Sequence, residues 1–319
     1  MVRPSLALLL LGLMRPPGAG AQAVIAPTWA RNTSGHVADS LRRTTRSQAQ
    51  AGPTGLAAGL ANWPADMYCG GTATGAVQPL DPREVLDRVQ LAARCGVRLV
   101  IIIPRRYLTT THEVAGPFSL DQAKQATDRY ASILPPDTLA KYRATLLGLN
   151  LADDYTCLRC WGGQEITQAE LADWATYTRA KLPGLPLGIR HTPEWVAESP
   201  PLAASIDYVW AQYHAKRGDA KRYFAEAAEA AGRLGLRVVM GVNTHNCNGP
   251  GSGRCKPDDI LRYGTTAIEH PGNCAFLSYR YDDAWDRPEI RAAWDSLFAL
   301  AKTRPTVDCR RGGTPTASH

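Results

Sequence analysis

Several familiar signatures are missing from this chain of 319 residues. Beyond its first residues, no apolar run approaches the roughly 20 residues that a lasting membrane-spanning helix needs. No Gly-rich phosphate loop follows any predicted strand, which counts against nucleotide-binding doubly wound sheets. No G-x-S-x-G elbow is present, so a serine hydrolase is not indicated. A close His-x-His pair, usual in metal-dependent barrel hydrolases, is also missing. The basic residues form no stripe interleaved with aromatics, and nucleic acid is therefore not an expected partner.

What is present begins with Arg3, an apolar stretch from Leu6 to Leu13, and Ala21-Gln22-Ala23. This reads as a secretory signal with an A-x-A cleavage site, covering residues 1–23. The stretch is too short to persist as an anchor, so no membrane association is expected after cleavage. Cleavage would remove Arg3 and Arg15 and lower the formal charge from +7 to +5, a mild excess that favours solubility more than binding. Eight cysteines follow the signal, and an even count in an exported chain favours disulfides, with 105 possible connectivities. Cys157-Leu158-Arg159-Cys160 could be half of a zinc site or a redox pair, but no second C-x-x-C follows it, and structural bridges are the expectation. Cys247 and Cys255 enclose NGPGSGR, where a bridge would restrain a Gly-rich loop. A distant cysteine is expected to tie down Cys309 in the tail.

Residues 24–53 lack periodicity and read as an N-terminal extension, with an N-glycosylation acceptor at Asn32-Thr33-Ser34. From there, strands and helices alternate. Strands are predicted to start near residues 56, 97, 145, 185, 207, 236 and 274, with helices of 10–15 residues between most of them. An eighth strand is expected in 24–53 or 104–144, and Cys69 to Gln78 reads as a loop rich in Gly, Thr and Ala. Helix starts are well marked: Asp81-Pro82, Ser119 with Asp121, and Thr167 with Glu170 at the third helical position. The pattern predicts an α/β fold, a parallel (β/α)8 TIM-type barrel over residues 54–304, followed by a disordered tail at 305–319. A monomer is the expected state.

The predicted strand Thr145–Leu151 ends in Asp153 and Asp154, and later strands end in Arg190-His191, Gln212-Tyr213-His214, Asn243-Thr244-His245 and Tyr281-Asp282-Asp283. Chemistry gathered at the C-terminal ends of barrel strands is where such enzymes carry their sites. The segment Leu146-Leu147-Gly148-Leu149-Asn150-Leu151-Ala152-Asp153-Asp154-Tyr155 resembles the strand-plus-Asp-Glu-Pro segment of (β/α)8 glycoside hydrolases. Asp154 stands where those proteins have Glu, and Tyr155 where they have Pro. The resemblance implies the barrel and a carbohydrate as substrate, with the strand-end carboxylate as acid/base.

Glycoside hydrolysis uses one protonated and one ionised carboxyl group. Asp154 and Asp282 are the first candidate pair, with Asp153 and Asp283 beside them to raise one pKa by like-charge proximity. Glu194 is a further candidate, although Glu194-Trp195 could equally open a helix. Sugar rings stack on aromatics and need polar partners for their hydroxyls. The candidate substrate-binding residues are Trp63, Arg105, Tyr155, Gln212, Tyr213, Asn243, His245 and Tyr281, with Trp63, Trp161 and Tyr213 expected at the rim and Trp174, Trp210 and Trp294 in the core. No cofactor or metal is implied. The expected activity is a secreted or periplasmic glycoside hydrolase acting on an oligo- or polysaccharide. Two other readings stay open. One is a non-catalytic polysaccharide-binding barrel, which predicts carboxylates far apart or locked in ion pairs. The other is a metal-dependent barrel hydrolase using His191, His214 and His245 with Asp153 or Asp154.

Overall fold

The computed structural model describes residues 54–249 and 252–312. The signal segment, the extension and the Asn32 acceptor lie outside them. Eight strands pair in parallel and in chain order: β1 (Ala57–Ala61), β2 (Gly75–Pro79), β3 (Arg98–Ile102), β4 (Leu146–Asn150), β5 (Leu187–Ile189), β6 (Tyr208–Tyr213), β7 (Arg237–Val242) and β8 (Asn273–Ser278). Register between β1 and β8, from Ala57↔Ala275 to Leu60↔Ser278, closes the barrel. Parallel strands need crossovers, and helices supply them on the outside.

Seven strands fall where the pattern predicts them. The eighth does not: it is β2, inside the segment read as a loop. Its sequence, Gly-Ala-Val-Gln-Pro, is too small and too weakly β-branched to announce a strand. The small residues have a packing reason. A Cβ on Gly75 would lie 3.0 Å from the Ala58 nitrogen, and one on Gly59 would lie 1.7 Å from the Gly75 oxygen. Glycine lets β1 and β2 approach closely.

The outer helices start as their caps predict. Asp81 caps Pro82–Cys95, which ends at Gly96 in the left-handed conformation. Thr167 and Glu170 form a reciprocal capping box on Gln168–Lys181. Two short helices, Pro193–Ala197 and Pro200–Ser205, separate β5 from β6, and exposed Glu194 sits in the first turn of the former. Apolar faces of the larger helices pack on the outside of the strands. The lumen holds a second cluster that includes Val77, Val100, Leu147, Tyr208, Trp210 and Val239. A Cβ on Gly188 would lie 2.1 Å from the Tyr208 ring, so that ring fills the centre of the barrel. Trp210 stands above it and donates from Nε1 to the Leu277 carbonyl at 2.8 Å. The lumen is therefore a packed floor under the mouth, not a channel.

Four disulfides join Cys69–Cys95, Cys157–Cys160, Cys247–Cys255 and Cys274–Cys309. The last one ties the C-terminal segment to the start of β8. Residues 305–312, expected to be part of a disordered tail, are instead held in place: Cys309 is fully buried, and Arg311 donates to the Ala203, Leu234 and Gly235 carbonyls. Among the described residues, no helix is long and apolar enough to cross a membrane.

Candidate active site

The C-terminal ends of the strands surround a mouth with two lobes. One, about 170 Å³, is lined by the ends of β1, β2, β3 and β4 together with Arg190, Trp210 and Tyr279. The other, about 200 Å³, is lined by Arg190, His191, Gln212, His214, Arg217 and Asn243 among others. Arg190 and Trp210 border both lobes.

Asp153 and Asp154 leave β4 in different directions. Asp154 has φ of +55°, a left-handed conformation that asparagine and aspartate tolerate better than most residues. That twist carries its side chain outward, where it is 42% exposed. Arg105 binds its Oδ2 at 2.6 Å and Arg190 binds its Oδ1 at 3.0 Å, so both oxygens are occupied. Asp153 lines the first lobe, with its side chain 22% exposed. Its Oδ1 lies 2.5 Å from Arg190 and accepts from the Asp154 backbone N–H at 2.8 Å. Burial raises the Asp153 pKa above the ordinary carboxylate range, while the Arg190 charge opposes that rise and the neighbouring Asp154 adds to it. For Arg190, burial works against the charged form, but Asp153 and Asp154 outweigh it and hold the guanidinium charged.

Both arginines are placed by packing as well as charge. The Arg105 guanidinium lies 5.2 Å from the Trp161 ring centroid, and Arg190 lies over Trp210 and Tyr279 at 5.9 and 5.3 Å. Tyr155 sits beneath them, fully buried. Its hydroxyl donates to the Ala152 carbonyl at 2.6 Å and accepts from the Arg190 backbone N–H at 3.2 Å. It fixes the turn after β4 and does not reach the mouth. Behind it, Trp195 stacks parallel to Tyr155 at 5.7 Å, and His191 stacks on Trp195 at 4.3 Å.

Asp282 occupies a different setting. It caps a short turn, Asp283–Asp286, by accepting from the Ala284 backbone N–H at 2.8 Å. Arg254 and His245 Nε2 hold its two oxygens. It borders a small cavity with Thr244, Tyr281 and Trp285, and neither lobe of the mouth includes it. The side chain of Asp283 falls outside the described residues.

The remaining candidates divide. Gln212 and Asn243 line the second lobe. Both amide atoms of Gln212 and Nδ1 of His214 are shielded from solvent without a hydrogen-bond partner. Asn243 Oδ1 accepts from the Asn246 N–H. His245 is committed to Asp282, and Tyr281 packs against Trp63 and Trp285. Three rim expectations are corrected. Trp63, Trp161 and Tyr213 are all buried. Trp63 is enclosed by Tyr281, Trp285 and Phe298, and Trp161 spends its N–H on the Asp154 carbonyl. Tyr213 donates its hydroxyl to the Gly218 carbonyl at 2.6 Å. These rings are drawn inward by helices whose apolar faces need covering. The core expectation holds for Trp174 and Trp294, whereas Trp210 is buried yet floors both lobes.

Two kinds of residue escaped the sequence reading: two that line the mouth and one that organises the chain after β2. Tyr279 and Arg217 line the mouth, and the only signal for Tyr279 was its place directly after β8. Asp81 follows β2 and reads as a helix cap alone, but it also accepts from Tyr107 and Arg106. The Tyr107 and Arg83 hydrogen bonds hold its pKa far below the ordinary carboxylate range. Among the described residues, no group of three His, Cys, Asp or Glu side chains is arranged to hold a metal ion.

Neither a family model nor a curated protein matches this chain. Solved structures do. The mannotriose complex of β-mannanase from Thermomonospora fusca aligns over 80% of this chain and 92% of its own, with a TM-score of 0.53 and 12% identity. A putative α-L-fucosidase from Bacteroides thetaiotaomicron aligns over 78% and 97%, with a TM-score of 0.49 and 10% identity. A GH18 chitinase from Pseudoalteromonas aurantia aligns over 73% and 97%, with a TM-score of 0.45 and 12% identity. The chain thus bears a distant resemblance to (β/α)8 glycoside hydrolases. At 12% identity the likeness to the mannanase speaks to the fold alone.

Proposed function

We propose that this chain is an exported, carbohydrate-active barrel of glycoside hydrolase type, with a sugar chain lying across the two lobes of the mouth. The observation that carries the reading is Asp153: a strand-end carboxyl group that lines the first lobe and whose burial favours its protonated form. Asp153 takes the acid role in preference to Asp154, whose oxygens are both occupied by arginines. Asp154 then serves as the clamp that holds Arg105 and Arg190 at the mouth. In the acid step the Asp153 proton passes to the glycosidic oxygen, the bond from that oxygen to the anomeric carbon breaks, and water adds to that carbon. Asp282, first in line for the second carboxylate by chain position, is held by His245 and Arg254 outside both lobes, so the proton that the incoming water sheds passes to solvent water instead. Gln212, Asn243 and Arg105 are the proposed hydroxyl-binding groups, and Tyr279 and Trp210 offer the apolar surface. The four disulfides agree with export to an oxidising compartment.

A second reading is favoured by one observation. Asp153, Asp154 and Asp282 are all ion-paired with an arginine, the pattern expected of a barrel that binds polysaccharide without cleaving it. Assaying the intact chain and Asp153→Asn against a panel of polysaccharides separates the two. The hydrolase reading expects cleavage by the wild type and a loss of about 10²–10⁴-fold in the variant, with the far-UV circular dichroism unchanged. Glycan binding without cleavage establishes the binding barrel instead. Full activity in Asp153→Asn refutes the acid assignment, and absence of both binding and cleavage refutes the carbohydrate reading.

A further inference from the structure

The two lobes of the mouth differ in charge. The first contains a carboxylate, Asp153, between Arg105 and Arg190. The second, bounded by Arg190, His191, Gln212, His214, Arg217 and Asn243, has no carboxylate in its wall among the described residues. Glu194 lies nearby on the Pro193–Ala197 helix, but it is exposed and does not line the lobe.

The wall of this lobe is rich in donors. His191 Nδ1 accepts from the Thr192 N–H at 2.9 Å, so the ring proton sits on Nε2. Gln212 presents an amide with neither atom partnered, and a buried polar atom without a partner is costly unless something fills its place. Arg217 contributes a guanidinium, poised 5.8 Å from the Tyr223 ring centroid and exposed at the lip. Cations act on both imidazoles, with a smaller opposing pull on His191 from Glu194. Burial first, and then Arg217, lower His191 to about 4; burial, Arg217 and Lys216 lower His214. Near neutral pH both rings are therefore uncharged and available as hydrogen-bonding groups beside fixed cations.

We infer that the second lobe is a subsite for an anionic sugar, a pyranose bearing a carboxylate or a sulfate, with Arg217 and the Gln212 amide as its principal contacts. The inference rests on the carbohydrate reading and narrows it. A neutral sugar would leave the guanidinium facing hydroxyls. An acidic substituent turns the Gln212 contact into a charge-assisted hydrogen bond, roughly twice as strong as a neutral one, and gives Arg217 an opposite charge to pair with. A second carboxylate in the lobe would repel that substituent, and none lines it.

The test is a glycan array carrying neutral, uronate-containing and sulfated oligosaccharides, probed with the full chain, followed by titration calorimetry on the strongest hit. The expected result is binding confined to anionic glycans; whether uronates or sulfates respond identifies the source of the charge. Arg217→Gln should weaken that affinity by about tenfold or more, the scale of one charge-assisted contact. Raising sodium chloride from about 50 to 500 mM should also weaken it, since the contact is at the lip and open to screening. Arg233→Gln removes the same charge from a surface helix, where Arg233 pairs with Glu229, and should stay within about twofold. Binding to neutral glycans that survives both salt and Arg217→Gln overturns the anionic subsite and leaves the carbohydrate reading standing. Equal losses in Arg217→Gln and Arg233→Gln also overturn it, by showing attraction to net charge alone. No signal from any glycan sinks both.

Discussion

The segments leaving β4 and β8 look alike in sequence: an apolar strand, then Asp153-Asp154 in one and Tyr281-Asp282-Asp283 in the other. The structure makes them different objects. After β4, the left-handed Asp154 splits the pair, sending Asp154 outward to two arginines and leaving Asp153 facing the first lobe. After β8, Asp282 is absorbed into a helix cap and held by His245 and Arg254 away from both lobes. An acidic dipeptide at a strand end is thus not a catalytic signature by itself. Its role is decided by the backbone of the second acid and by which cations the neighbouring strands deliver.

The contrast can be tested by removing those cations and caps. Arg190→Leu should have the largest effect, because it removes the guanidinium that pairs with Asp153 and Asp154 and packs over Trp210 and Tyr279. A loss of about 3 kcal/mol in chemical denaturation is expected, at the lower end of what broken buried pairs cost. Asp282→Ala should cost about 1 kcal/mol in the same measurement, since it removes a cap while Arg254 and His245 can turn to water. If Asp282→Ala proved more damaging than Arg190→Leu, the β8 end would be the structural keystone and the comparison would be reversed.

A third test concerns pH. His191 buttresses the β4 end through Trp195 and Tyr155. Its folded pKa, about 4, lies below its ordinary value of 6.5. The unfolded chain therefore takes up the proton first as pH falls. Stability from this group is complete above about pH 6.5 and declines as pH drops toward 4. A melting-temperature profile across that window should fall for the wild type and fall less steeply for His191→Asn. Parallel profiles would show that His191 contributes nothing to the buttress.

Much of the barrel was readable because its signals are local. Asp81-Pro82 and Thr167 with Glu170 announce helices through their own backbone partners, and the β-branched run of β3 announces a buried strand. β2 was not readable, since its glycine and alanine serve the close approach of β1 rather than any propensity of their own. The site was readable only as strand ends. That Arg105 and Arg190, 85 positions apart in the chain, would meet on one carboxylate is a property of barrel closure, and no spacing encodes it. The fate of Trp63 was equally hidden: its burial depends on Phe298, which arrives on the last helix.

Chain ends are ordinarily where a fold frays first. Here the stretch around Cys309 is covalently anchored at the foot of β8, and its neighbour Thr306 hydrogen-bonds the Gly55 carbonyl just ahead of β1. β1 and β8 meet at the seam where the cylinder shuts. Residues 306–309 therefore act as a drawstring across that seam. A nascent chain lacking them has all eight staves but not the cord that keeps the first and last together.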